Sequence, residues 1–508
     1  MLFNSYTFLF CFLPITLIGF VLSGRLGDRR ASILWLVLCS MVFYGEWSPR
    51  YLRLLLVSMA INFLIGAAWL RSSQPLVRKA GLLTGLTFNL SVLAYFKYSH
   101  LIINTLAPIA GHAAHFGRFV LPPGLSDFMR ADIILPLGIS FFTFQKIAYL
   151  VDTYRGRGYS RNFLHYMLFV LFFPQLIAGP IVHPRQILPQ LARRSVFGIT
   201  SRNLSTGFTL FFFGLAKKVL VADTLAPTAT EVFDHVASGR MIGLTTAWLG
   251  ALTYAMQIYF DFSGYTDMAI GLARLFGIRL PVNFNSPYQA RSIADFWRRW
   301  HMTLSSVLRE YLYIPLGGNR RGKYRRHINL LITMLLGGLW HGASWTFVVW
   351  GGLHGVYLCI NHAWTAMTKG SRSYTDNSAW TKLWKQSVTF AAVVIAWVFF
   401  RATDFRVAGH MLAGMFAMHG LHLEEVGRSH MRWPMTLAAM AFCFLAPNTQ
   451  HFMALARPAL GVLPPPADQR TGRLLWHPTA AWAMVSAALA IASILLLARP
   501  SEFIYYQF

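Results

Sequence analysis

The sequence predicts an all-α polytopic membrane protein, and three observations predict it. Hydrophobic residues fill 55% of the 508 positions and charged residues only 12%, with a mean hydropathy of +0.47. A composition of that kind belongs to chains that place many apolar helices in lipid, and not to a globular enzyme built on one large core. The apolar residues fall in runs near the length demanded by a hydrocarbon core of roughly 30 Å. The Lys and Arg residues behind the formal charge of +27 gather between those runs, as they do in the cytoplasmic loops of membrane proteins. They border spans and do not line one soluble face, so nucleic-acid binding is not expected.

The elements follow in order. Residues 1 to 24 carry no charge. No basic segment precedes this run and no small-x-small cleavage site follows it, so it reads as a retained first span and not as a signal peptide. Further spans are expected near 31–46, 52–70, 80–97, 133–151, 163–180, 204–222, 241–260, 328–346, 347–365, 386–402, 434–448 and 478–498. The expected count is about eleven to thirteen transmembrane helices. Arg25, Arg29 and Arg30 follow the first span, and Arg71, Arg78 and Lys79 follow the third. The loop between the second and third is less basic and holds Glu46, which puts the N-terminus outside. Cys11, Cys39, Cys359 and Cys443 all lie in apolar segments without a CxxC spacing, so neither a disulfide framework nor a zinc site is expected.

Several segments are interrupted by Pro, Gly or polar residues: Leu135 to Ile139, Phe173 to Pro180, and Pro281 to Pro287. Broken backbone at membrane depth is tolerated where protein or a water-filled cavity satisfies it, so these stretches mark a pocket or re-entrant elements. No matching pair of broken helices recurs in two halves, which argues against a secondary transporter. Residues 461–477 form a Pro-rich basic connector and 368–385 a polar loop, each too short for a separate domain. The chain is therefore expected to be one membrane-embedded domain over 1–508, with a core near 130–405 and peripheral C-terminal helices over 406–508.

The chemistry is expected between His301 and His341. His341 lies in a run from His327 to Thr368 that contains no Asp, Glu, Lys or Arg, and an ionisable residue in such a run is a functional hypothesis by default. A neutral imidazole there can take a proton from a substrate hydroxyl near neutral pH; the alternative is a histidine that hydrogen-bonds across the helix bundle. His301 lies on Ser292 to Tyr313, which reads as one amphipathic helix too polar to span. Ser292 and Asp295 form a capping-box pattern there, and Asp295 can pair with Arg298 or Arg299. His301 would orient an acceptor or act with His341, or else be an interfacial structural residue. His354 and His362 share the apolar run, but no HExxH or comparable ligand spacing is present and no metal site is expected. Gly317 to Lys323, with Asn319, Arg320 and Arg321, could cradle phosphate groups, although it lacks the Gly-Lys-Ser/Thr ending of a Walker loop. The alternative is an ordinary positive-inside loop. Asp261 and Asp267 stand out because acid is scarce; they read as site residues or as helix caps.

Motifs add what spacing cannot. The chain carries Asn89 with Tyr95-Phe-Lys-Tyr98, Leu135-Pro-Leu-Gly-Ile-Ser-Phe-Phe-Thr-Phe-Gln145, Tyr149-Leu-Val-Asp152 with Tyr154-Arg-Gly156, and Phe173-Pro-Gln-Leu-Ile-Ala-Gly-Pro180. It continues with Asp295-Phe-Trp-Arg-Arg-Trp-His301, Tyr311-Leu-Tyr-Ile-Pro-Leu-Gly-Gly-Asn-Arg320, Leu339-Trp-His-Gly342, Trp397-Val-Phe-Phe-Arg401 and Phe503-Ile-Tyr-Tyr-Gln-Phe508. Taken jointly, these resemble the membrane-bound O-acyltransferase (MBOAT) family of the alginate O-acetyltransferase type, over nearly the whole length. Val307 stands where relatives commonly have Trp, and Glu310 where they have Asp.

The resemblance implies an MBOAT fold with re-entrant and interfacial helices around a central funnel, in a bacterial inner membrane. It implies transfer of an acetyl group from a cytoplasmic donor, acetyl-CoA, towards the periplasm for O-acetylation of an exported polysaccharide such as alginate, through a periplasmic acetyltransferase partner. No cofactor is implied. The family's catalytic histidine matches His341 and its second polar position His301; Trp300, Trp340 and Asn319 would shape the site, and Arg320 and Arg321 would meet the donor's phosphates. Cellulose, peptidoglycan or teichoic acid are alternative polymers, and a non-enzymatic polysaccharide or lipid transporter is the alternative of another class.

Overall fold

The computed structural model describes residues 1–25, 29–103, 105–106, 134–157, 162–193, 199–368, 378–421, 429–462, 475–498 and 504. Most of the Phe503 to Phe508 motif, of the 461–477 connector and part of the 368–385 loop lie outside the described residues. Regular structure among the described residues is helical, with one isolated bridge between Pro281 and Leu460. The long helices are α1 (Leu13–Arg25, entered through a π turn at Phe8–Phe12), α2 (Arg29–Gly45), α3 (Pro49–Arg71), α4 (Pro75–Leu93), α5 (Ile139–Tyr154), α6 (Phe163–Leu171), α7 (Ser201–Ala216), α8 (Asp223–Ala237), α9 (Leu244–Leu275), α10 (Gly322–His341), α11 (Trp345–Thr368), α12 (Ala379–Arg401), α13 (Phe405–Met415), α14 (Ser429–Leu445) and α15 (Ala480–Leu496). Among the described residues, four helical stretches are long and apolar enough to cross a membrane by length and composition: Phe8–Arg25, Pro49–Trp69, Ser201–Ala237 and Ala379–Arg401. The other expected spans are wholly or partly helical, but they are shorter or more polar than that standard. The chain is an all-α polytopic membrane protein.

α9 is the axis of the fold. It is 32 residues long, and every residue from Thr253 to Leu275 is buried. A helix apolar nearly all round is one that protein surrounds. α7 reaches it through paired glycines: a Cβ on Gly214 would lie 2.5 Å from the Gly264 carbonyl oxygen, and a Cβ on Gly271 would lie 2.6 Å from the Gly207 carbonyl oxygen. Small residues let two backbones approach this closely where lipid supplies no hydrophobic drive to hold helices together. The expected span at 241–260 is thus half of a longer helix, and Asp261 and Asp267 fall inside it.

Neither acid caps a helix. Lys218 Nζ lies 2.7 Å from Asp261 and 2.6 Å from Asp223, and Lys217 Nζ lies 2.7 Å from Asp267. A π turn at Lys217–Ala222, between α7 and α8, carries both lysines. Such pairing is how ionised groups persist in a protein interior.

Two expected helices are broken. The expected span at 163–180 stops at Leu171; Phe172 leaves helical geometry at φ −49°, ψ 107°, and a four-residue helix, Phe173–Leu176, follows. Pro174 lies in the first turn of that short helix, as fits a residue without an N–H to donate. The expected helix at Ser292–Tyr313 divides into Ile293–Trp297, Met302–Leu308 and a π turn at Arg309–Tyr313. The Ser292 side chain accepts from Asp295 N at 3.1 Å and Asp295 pairs with Arg299 at 3.1 Å, so the N-cap and the ion pair are as expected. The Asp295 carboxylate, however, accepts from Arg291 N at 3.4 Å, which is not the return bond to Ser292 N that a capping box requires. The break falls at His301, which has a left-handed φ of 41°.

Candidate active site

α10 positions His341. It is the last residue of the helix, and Gly342 departs at φ −158°, ψ 149°. Only a glycine fits there, since a Cβ would lie 2.2 Å from the Phe347 ring. The imidazole is 3% exposed, and aromatic rings surround it. Trp340, Trp350 and Phe400 present themselves to it at 4.9, 5.0 and 5.4 Å between centroids, all at steep angles. α11 supplies Trp350 and α12 supplies Phe400, so three helices converge on one ring.

The strained turn brings His301 to the same place. The two imidazoles lie 6.4 Å apart between centroids, although 40 positions separate them in sequence. Asn283, from the Pro281 to Pro287 segment, holds the turn: its backbone carbonyl accepts from Met302 N at 2.9 Å, and its side-chain Oδ1 accepts from Thr303 Oγ1 at 2.8 Å and lies 3.0 Å from His301 Nδ1. An amide oxygen only accepts, so Nδ1 carries the proton and Nε2 is the basic nitrogen of the neutral ring. Asn283→Ala removes the acceptor for both groups. We expect it to destabilise the protein by about 1–3 kcal/mol, read as a lower melting temperature of the detergent-solubilised protein.

The other residues singled out divide between this centre and elsewhere. Trp340 joins it, stacked on Phe144 of α5 at 5.1 Å and 4°. Trp300 is fully buried one layer back, 5.0 Å from Trp397, which stacks on Trp350 at 5.7 Å. His354 belongs to the same wall, where its Nδ1 accepts from Trp297 Nε1 at 3.3 Å. Asn319, Arg320 and Arg321 are not beside the histidines. They precede α10, whose 20 residues end at His341, so about 30 Å of helix separates the two ends. There the Asn319 side chain accepts from the Tyr313 hydroxyl at 2.5 Å, and both arginines are exposed.

A cavity of about 380 Å³ opens beside the end of α10, bounded by Lys97, Tyr254, Gln257, Gly342, Phe400 and Arg401 among others. That volume is in the range of small-molecule sites. The cavity reaches Gly342 and Phe400, which adjoin His341, and a neutral imidazole in such a shell can remove a proton from an acyl acceptor. Spacing did not reveal Asn283 or the rings of Trp350 and Phe400. The polar interruption at Pro281 to Pro287 was the available signal for Asn283.

The family model described as MBOAT, membrane-bound O-acyltransferase family, matches residues 7–407. This chain belongs to that family. Among its similar proteins is the peptidoglycan O-acetyltransferase of Helicobacter pylori, 40% identical over 84% of this chain and 82% of that protein. The probable alginate O-acetylase AlgI of Pseudomonas putida is 39% identical, with 100% of both chains covered. The teichoic acid D-alanyltransferase of Bacillus subtilis is 28% identical over 54% of this chain and 70% of that protein. The chain is therefore an enzyme, a membrane-bound O-acyltransferase.

Proposed function

We propose that this O-acyltransferase takes an acetyl group from cytoplasmic acetyl-CoA and passes it across the bacterial inner membrane, where an acetyltransferase partner in the periplasm completes O-acetylation of an exported polysaccharide such as alginate. The observation that carries this reading is the position of His341, at the end of a 20-residue helix whose other end is the basic loop. Arg320, Arg321, Lys323, Arg325 and Arg326 attract the anionic part of the donor at the cytoplasmic side. The acetyl end is delivered to His341.

His341 takes the proton from the acceptor hydroxyl as its oxygen attacks the thioester carbonyl carbon. The tetrahedral intermediate then collapses with cleavage of the C–S bond, and the imidazolium returns the proton to the departing thiolate. His301, with its basic Nε2, orients the acceptor, and Trp340 and Trp300 with their neighbouring rings exclude water. The reaction balances with no resident cofactor.

Sealed vesicles test the direction of transfer. With acetyl-CoA on the cytoplasmic face alone and the partner on the opposite face alone, the partner becomes acetylated and no acetyl-CoA crosses. Transfer only when donor and acceptor share a compartment defeats the cross-membrane reading. The full-length match to the alginate relative favours alginate, while the peptidoglycan relative supports the second reading. O-acetyl content of each polymer in a strain lacking the gene decides between them.

The loop has its own test. Replacing Arg320 and Arg321 together by Gln is expected to raise the acetyl-CoA concentration for half-maximal rate, because charge-assisted hydrogen bonds of about 1.5–3 kcal/mol each are removed. An unchanged dependence leaves the loop with membrane orientation as its role.

A further inference from the structure

The end of α10 raises a problem that the helix cannot solve by itself. The last four carbonyls of a helix have no partner within it, and α10 ends in a buried, aromatic setting. Gly342 N donates to Gly338 O at 3.4 Å, which leaves Leu339, Trp340 and His341. Two consecutive residues of another helix reach all three. Tyr98 donates its hydroxyl to Leu339 O at 3.0 Å, and Lys97 Nζ donates to Trp340 O at 2.5 Å and to His341 O at 3.2 Å.

From these contacts we infer that Lys97 and Tyr98 are positioning residues for His341: a side-chain clamp on the end of α10 that sets the imidazole in its aromatic shell. This rests on His341 being the base. Both clamp residues lie in a π turn, Ala94–Tyr98, that extends α4, and single π turns of this kind are frequent at functional sites. Lys97 is 5% exposed. Its third donor goes to Ser140 Oγ of α5 at 3.1 Å, and its ammonium lies 5.8 Å from the centre of the Trp340 ring. An ammonium has three N–H groups, and three acceptors on the protein take them. Lys97 borders the cavity, therefore, but holds the wall and not the substrate. The contacts also tie α4, α5 and α10 at one point, so the ring of Trp340 and the backbone of His341 share one support.

Membrane vesicles from the native host, carrying only one variant of the enzyme, test this with radiolabelled acetyl-CoA, with the rate of acetyl incorporation referred to the folded enzyme present. A misplacement near 1 Å is worth about 100-fold in rate, so Lys97→Met is expected to lower the maximal rate by about that factor while the half-saturating acetyl-CoA concentration stays put. Lys97→Arg, which keeps charged donors, recovers part of the loss. Tyr98→Phe removes a single hydroxyl and lowers the maximal rate to a smaller extent, again without changing half-saturation.

Wild-type rates in Lys97→Met and Tyr98→Phe overturn the inference, as does a rise in half-saturation, which makes Lys97 a donor-binding residue. A loss of total activity that tracks the loss of folded protein, so that the rate per folded enzyme is unchanged, overturns it in favour of a purely structural cap. If Lys97→Met does not accumulate, Tyr98→Phe decides. His341→Ala runs in parallel: activity there removes the base assignment, whereas a silent His341→Ala beside normal clamp variants removes the clamp alone.

Discussion

His341→Ala is expected to abolish acetyl transfer while the protein still inserts and accumulates in the membrane. General-base catalysis is worth roughly 10²–10⁴-fold in rate, and a loss of that size brings polymer acetylation below detection. Insertion survives because alanine keeps both the helix and the apolar character of the run that carries His341. The neighbouring rings of Trp350 and Phe400 meet the imidazole edge-on and also pack on each other at 5.1 Å, so the shell keeps most of its contacts. The measurement is the O-acetyl content of the exported polymer in cells carrying only the variant, with membrane abundance followed by immunoblot. Normal acetylation ends the assignment of His341 as the base. His301→Ala in the same assay is expected to lose less, because its role is to orient; a wild-type level returns His301 to a structural part.

The second large effect is on assembly. α10 and α11 are pressed together at Gly338 and Gly351: a Cβ on Gly351 would lie 2.2 Å from Met334 O, and one on Gly338 would lie 2.2 Å from Phe347 O. These obstacles are backbone atoms, which cannot swing aside like a side chain. Overpacking a well-filled core costs about 1–3 kcal/mol even where side chains can rearrange. Gly351→Leu must instead force the two helices apart, and with them His341 from Trp350. We expect little monodisperse protein after detergent extraction, measured by size-exclusion chromatography with a fluorescent tag, and no acetylation. Gly352→Ala is the contrast. Its Cβ would meet only the Leu335 Cδ2 methyl at 3.3 Å, which can give by a few tenths of an ångström, and near-normal recovery is expected. Equal recovery of Gly351→Leu would mean that the helix pair tolerates separation.

By itself, the sequence determined the class of protein and the identity of its central histidine. Hydropathy and charge placement are sums over many residues, so they survive ignorance of contacts: all-α, polytopic and basic between spans could be read directly. His341 was legible because it is isolated in a run free of formal charge, and the motif around it carried the family. Tertiary structure alone decided what that histidine faces. The His301 pairing depends on a left-handed residue in a stretch whose spacing read as one helix, and no local rule foretold that Asn283, 18 positions earlier, would hold the break. The helix bounds also moved where contacts outweighed hydropathy: α9 runs on past Asp261 and Asp267 because Lys218 and Lys217 neutralise them from a neighbouring helix. The clamp from Lys97 and Tyr98 joins residues more than 240 positions apart; the motif marked the residues, and only packing revealed the helix end that they serve.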